Sequence, residues 1–488
     1  MRPWFAAGAL LALAGVSGCG NQYRPVVTPI TPTGPASQPQ SYAVAFSQPN
    51  LTIPPTGAPS PCPNTPNTPG VSSIAGIATL VDFSGETVLA QANITGVGPS
   101  TFALDGTGST AYSTNCDGTI STVPLSTTLQ SKNVLTTTLP STVNSQGQEV
   151  NTLPTNLLVT STADYVTEPH STTLNGQPAV GVLTSSPPSL KLEIPITAPS
   201  LINVTGVVNG QRIYSISQGN STPTGQGVTW GQCDTPSSVT TNGEADGIEV
   251  TTNTVSSELP VGVCPVYGLM TADGRRTFIL NRGSGTITVI DSSKNQLDTN
   301  SPSTVMQNAT IPVGAGPVHA DLYAPAALLV TANYDSDTIS IINVSINGAV
   351  QGFTDTANFG QVLATVPVGH HPAAVTVLQD GSRVYVANEG DGTVTIVNLS
   401  SFTVEGTLAV NGHPRSIAST FNAPLGKVYT IAQDSPYLTV IRTDTDIVSA
   451  SILLQGNGVD VRTTTQFAGA SAGTNNITQS RSVGSGAP

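Results

Sequence analysis

SRVYVANEGDGTVTIVN, residues 382–398, decides the architecture, because its pattern returns in register elsewhere in this 488-residue chain. A proline is followed sixteen residues later by an asparagine at Pro265/Asn281, Pro317/Asn333 and Pro372/Asn388, and after each asparagine come a turn and then TITVID, TISIIN or TVTIVN. Internal repeats take precedence over any other signal in a sequence. Successive prolines are 52, 55 and 42 residues apart (317 minus 265, 372 minus 317, 414 minus 372), while the proline-to-asparagine distance stays fixed in the first three units. Length varies elsewhere, in Ser292–Thr310, Ser345–Ala364 and the short Leu399–Gly406. Loops absorb insertions and packed strands do not.

Thr alternates with Val or Ile in each core strand, which suits β-branched side chains on a pleated surface. Four short strands per repeat of roughly 40–50 residues predict an all-β propeller. The units resemble the YVTN family of bacterial β-propellers, relatives of YncE-like and lactonase-like propellers, most closely at 272–291 and 379–398. The resemblance loosens at Pro414–Ile441, where Gln433 replaces the asparagine, and it continues upstream at Pro99/Asn115, at Pro199/Gln218 and in 154–198, which contains YVTE. Seven blades are expected. An eighth remains open, a composite in which 77–97 supplies the outer half and Gly458–Gln466 the inner half, closing the ring so that no strand edge is left bare.

The ends read differently. Residues 1–18 have the form of a lipoprotein signal, with Arg2 as the positive start, an apolar Trp4–Ala14 and a lipobox-like Val16-Ser17-Gly18-Cys19. The apolar run falls short of the roughly 20 residues that span a bilayer, so lipid on Cys19 is the expected membrane attachment, in the cell envelope and at the outer membrane. Residues 19–71 are proline-rich and poor in charge, a stalk by composition, with the propeller at 72–468 and a small, polar, disordered tail at 469–488.

Only 9% of residues are charged, and 28 acids against 15 bases give a net charge of −13. Without a basic stripe, nucleic acid is excluded as a partner. An envelope protein or glycan fits better, and a monomer is expected. Beyond Cys19 there are Cys62, Cys116, Cys233 and Cys264, with no CxxC among them, so disulfides of an oxidising compartment are expected. Of three possible connectivities, Cys233–Cys264 with Cys62–Cys116 is preferred, because Cys264 immediately precedes Pro265 and Cys233 lies in the long segment before it.

No GxSxG, HExxH or phosphate-binding glycine loop occurs, and no cofactor is expected. One constellation has chemical potential. GAGPVH (314–319), GHHP (369–372) and NGHP (411–414) fall on the same predicted face as Tyr334–Asp337, Glu389–Gly392 and Glu168–His170, which gathers all five histidines there. His319, His371 and His413 with Asp335 and Glu389 make a candidate set for a divalent metal, should they converge. Arg282, Asp337, His370, Asp391 and Arg415 extend the face as a possible ligand surface, the arginines suited to an anion or carboxylate. The competing reading makes the same residues turn devices, with Asp side chains bonding to backbone. Two functions follow: a lipid-anchored binding or scaffold module, or a lactonase-like or metal-assisted hydrolase. Propellers host both.

Overall fold

The computed structural model describes residues 42–49 and 74–464 apart from short interior stretches, the longest being 220–232, 234–239, 347–354 and 421–425. Among the described residues eight antiparallel blades form a closed ring, one more than the expected seven. Blades 2 to 8 follow chain order and begin at Pro99, Asn156, Leu201, Pro265, Pro317, Pro372 and Pro414. Blade 1 is composite: Asn457–Thr463 is innermost, followed outward by Tyr42–Gln48, Ala75–Asp82 and Val88–Val97. Its two halves are those the sequence left open, with one correction. Tyr42–Gln48, expected within the stalk, is a buried strand in contact with the chain's far end. The signal segment, Cys19, Cys62 and the 469–488 tail lie outside the described residues.

The repeat motif now has a physical reading. Its sixteen-residue spacing exists because proline and asparagine face each other across the first two strands, as at Pro99↔Asn115, Pro265↔Asn281, Pro317↔Asn333 and Pro372↔Asn388. The asparagine is a cross-strand tie, and at Asn281 its Oδ1 also accepts the Gly262 N–H at 3.1 Å. Its amide donates to two hydroxyls of the third strand: Asn388 to Thr393 and Thr395 at 3.0 and 2.8 Å, Asn281 to Thr286 and Thr288 at 3.2 and 2.9 Å. Asn115 and Asn333 repeat the tie. Asn388→Ala is therefore expected to cost about 1–3 kcal/mol, since the hydroxyls of Thr393 and Thr395 stay in place and lose the amide that donates to them. Urea unfolding of the two proteins measures it.

Three residues before the asparagine position, a tyrosine reaches the next blade. Tyr385 donates to Asp446, Tyr214 to Asn295 at 3.1 Å and Tyr165 to Asn253 at 3.2 Å. Each acceptor sits at positive φ (51°, 56° and 54°) in the turn before the following blade's outer strand, a conformation that Asn and Asp tolerate. Arg383 and Arg212 strengthen the latch, Arg383 on Asp446 and the Thr443 carbonyl, Arg212 on the Ser292 carbonyl. Apolar clusters fill the seams, as where Ala103, Tyr112 and Ile120 of blade 2 meet Leu157, Val166 and Leu183 of blade 3.

Innermost strands have an unpaired edge, a liability in any sheet. Side chains of the preceding blade receive it. The Val377 N–H donates to Asp321 at 2.8 Å, Ser419 N–H to Thr376 at 3.2 Å and Val461 N–H to Ser416 at 3.2 Å.

Candidate functional site

The face formed by the second-to-third and fourth-to-first connections holds most of the residues singled out in the sequence. Arg282, Tyr334 and Glu389 each follow the asparagine of blades 5, 6 and 7, so the ring places chemically different side chains at equivalent positions. They touch. Arg282 grips Asp335 with two bonds of 3.2 and 3.0 Å and lies over the Tyr334 ring, 5.1 Å from its centre. The Tyr334 hydroxyl donates to Glu389 at 3.1 Å, and Glu389 pairs with Arg415 of blade 8 at 3.1 Å. Burial, then the Glu389 charge, pushes the Tyr334 phenol well above its ordinary range. Both arginines are buried. The anions suited to them are the protein's own carboxylates, in a belt crossing four blades.

The histidine turns are stitched by aspartates. Asp337, at positive φ, accepts the His371 N–H at 2.8 Å and the His370 ring at 2.8 Å, while Asp391 accepts the His370 N–H at 2.7 Å. Partial burial pushes the Asp337 carboxyl up, but the His371 N–H and the His370 ring outweigh it and hold the group below its usual range. The same bond to Asp337, with Asp391 nearby, raises the His370 imidazole. His371 stacks on Tyr334 with ring centres 4.6 Å apart, and Asp434 accepts the His413 N–H at 2.9 Å and meets its ring. Exposed imidazoles remain at His370, His371 and His413. His170 is exposed too, beside the Gly176 carbonyl.

His319 departs from expectation. It is buried in the first strand of blade 6, where its Nδ1 accepts the Val375 N–H at 3.2 Å and its ring lies 4.8 Å from that of Tyr267. It serves the inner edge of blade 7 and is not a loop-face residue. The proposed metal set therefore does not come together: His319 is interior, His371 stands on Tyr334, His413 on Asp434, Asp335 on Arg282 and Glu389 on Arg415. Among the described residues no three His, Cys, Asp or Glu side chains are arranged to hold an ion.

Cys233 and Cys264 are joined, with Cα atoms 5.7 Å apart. The Cys264 carbonyl accepts the Arg282 N–H at 2.8 Å, which fixes the disulfide to the same face. Cys116 is also in a disulfide; Cys62, its expected partner, lies outside the described residues. The sequence reading placed Tyr334 on this face only as one end of a loop, without a role, and missed Asp434. Tyr334 had a signal, since it occupies the position after the repeat asparagine, where Arg282 and Glu389 drew notice by their charge.

A family model described as the Choice-of-anchor I domain matches residues 326–422, a minority of the chain. No curated protein matches. Among solved structures, AztD from Citrobacter koseri is 12% identical with a TM-score of 0.52, covering 87% of this chain and 98% of its own. Its apo form is 11% identical at 0.51, covering 87% and 97%. A structure titled as a putative 6-phosphogluconolactonase from Bacteroides fragilis is 11% identical at 0.49, covering 88% and 99%. At such identities the likeness to AztD concerns the propeller fold alone.

Proposed function

We propose that this protein is a non-catalytic binding propeller held at the outside of the cell, which meets a protein or glycan partner through the loop face of blades 6 to 8. The observation that carries the reading is how the charged groups of that face are used. Asp335, Glu389, Arg282 and Arg415 neutralise one another across blades, and Asp337, Asp391 and Asp434 hold turns. What is left to a visitor is a set of exposed imidazoles on a rigid frame, suited to hydrogen bonding and stacking. Catalysis needs convergent groups free to act on a substrate.

The Choice-of-anchor I match supports an extracellular or cell-surface place. The lipobox-like Val16–Cys19 supports attachment by lipid, and the repeat motif supports kinship with YVTN propellers. Among the described residues no helix is long and apolar enough to cross a membrane. Cys19→Ala is expected to move the protein from the membrane pellet to the soluble fraction; a variant that stays in the pellet after a high-salt wash would remove the lipid anchor from the reading.

Binding is tested with immobilised protein against a glycan panel and fractionated envelope proteins. Replacing His370, His371 and His413 together by Ala is expected to cut retention of the partner at least tenfold with little change in melting temperature. Turnover of lactone substrates, lost in the same variant, would overturn the binding reading in favour of a hydrolase.

A further inference from the structure

The asparagine tie has been replaced by carboxyls in two consecutive blades. In blade 3 Glu168 takes the asparagine's place, opposite Ala179, with Gly181 at the second hydroxyl's position. In blade 4 Ser217 takes that place, and Glu244 and Asp246 stand where other blades carry Thr or Ser. An amide and two hydroxyls satisfy one another without charge. Carboxyls do so only if protons are present.

Glu168 is fully buried, and neither of its carboxyl oxygens meets a donor. It fills the space left by Gly181, where a Cβ would lie 2.3 Å from its Oε1. The group that faces it is another acid, Glu193, which stands across from Gly181 on the fourth strand. Glu193 already accepts the hydroxyls of Ser171 and Thr173. Asp246, also buried, accepts the Ser215 hydroxyl at 3.0 Å through one oxygen, while its other oxygen has no donor. Glu244 lies beside it on the same strand and Glu258 opposite, where Thr197 donates to Glu258 at 3.2 Å. A third buried acid, Asp164, faces Asp105 and Tyr112 of blade 2. Among the described residues no base is paired with them: Arg212 is engaged with Glu249, and Lys191 and His170 are exposed.

A carboxylate buried against a second, partly exposed carboxylate is strongly disfavoured as an anion. We propose that Glu168 with Glu193, and Asp246 with Glu244, each share a single proton, and that these two protons make blades 3 and 4 a segment of the ring that loosens as pH rises. Burial first and the neighbouring acid second push Glu168 up to about 9 and Asp246 to about 8, and burial with Asp105 pushes Asp164 to about 7. The sign follows. The folded state holds protons that the unfolded chain, with carboxyl pKa values of about 4, has released. Stability from these groups is complete below that value and is lost as pH climbs toward 9.

The test is hydrogen exchange by mass spectrometry on the intact protein at pH 6 and pH 9, corrected for intrinsic rates. Protection in 154–198 and 242–263 is expected to fall at least tenfold more than protection in 372–453. Glu168→Gln combined with Asp246→Asn, which are neutral at every pH, is expected to erase the difference. The infrared carbonyl band of protonated carboxyls, present in wild type at pH 7 and reduced in either single variant, gives a readout should the double variant fail to fold. A uniform loss across all blades, or a missing carbonyl band, would overturn the proposal. Protection at pH 9 that vanishes on adding EDTA would overturn it in favour of a bound cation.

Discussion

Ending the chain before Asn457 is expected to abolish the cooperative fold, whereas ending it after Thr464 is expected to leave stability unchanged. The first truncation removes the innermost strand of blade 1, which pairs with Tyr42–Gln48 along its length. It also leaves Ser416 of blade 8 without the Val461 N–H and without Asp460, to which its hydroxyl donates at 2.6 Å. Val459 and Val461 go, and Phe46, Phe102 and Ile431 lose cover from that strand. Each buried apolar side chain accounts for roughly 1.5–3 kcal/mol, and the net stability of a domain is only roughly 5–15 kcal/mol. Removing the strand also bares the edge of Tyr42–Gln48 that it covers. Near-ultraviolet circular dichroism and thermal unfolding of the two truncations decide it. A sigmoidal transition at the wild-type temperature in the shorter protein would show that the ring does not depend on its closing strand.

That strand also marks the limit of what could be read in one dimension. Blades 2, 5, 6 and 7 were legible because the proline and asparagine that mark them face each other at fixed register, so fold and motif are one fact. Tyr42–Gln48 was not, because prolines dominate its surroundings and one of its two pairing partners, Asn457–Thr463, lies more than 400 residues away, as does Thr464, which accepts the Tyr42 N–H. The histidine face was legible as a place. What its residues do was not, because Arg282 meets Asp335 and Tyr334 meets Glu389 from separate blades, at separations of 53 and 55 residues. Spacing within one repeat carries no information about which charges neutralise each other across a seam. Glu168 did have a signal: YVTE stands where blade 7 has YVAN, and a glutamate in an amide's place asks for a proton or a partner.

Arg276→Ala should destabilise the protein more than any other single substitution considered, by about 3–5 kcal/mol, because it leaves several buried carboxylates without their cation. The guanidinium meets Asp291 at 3.2 Å, Asp298 at 3.2 Å and Asp355 at 2.9 Å, and all four side chains are buried. Asp298 and Asp355 come from the two long insertions that the repeat spacing picked out, so one arginine of blade 5 fastens extra chain from two blades. The Ser301 hydroxyl adds a bond to Asp355 at 2.7 Å. Asp291 has a second cation in Lys294 at 2.9 Å and its carboxyl is held below the usual range, whereas burial and then Asp355 push the Asp298 carboxyl up to about 7, against the pull of Arg276. Removing the cation raises the carboxyls further. The deficit of the variant is therefore expected to be largest above pH 8 and to shrink toward pH 5, where protons discharge the cluster. Arg276→Lys keeps the charge but not the planar fork that reaches three partners, and should fall between the two. Urea unfolding of the three proteins at pH 5 and pH 8.5 measures this; a loss that is small, or equal at both pH values, would mean that packing around Phe278 and Phe359, not charge, holds the insertions in place.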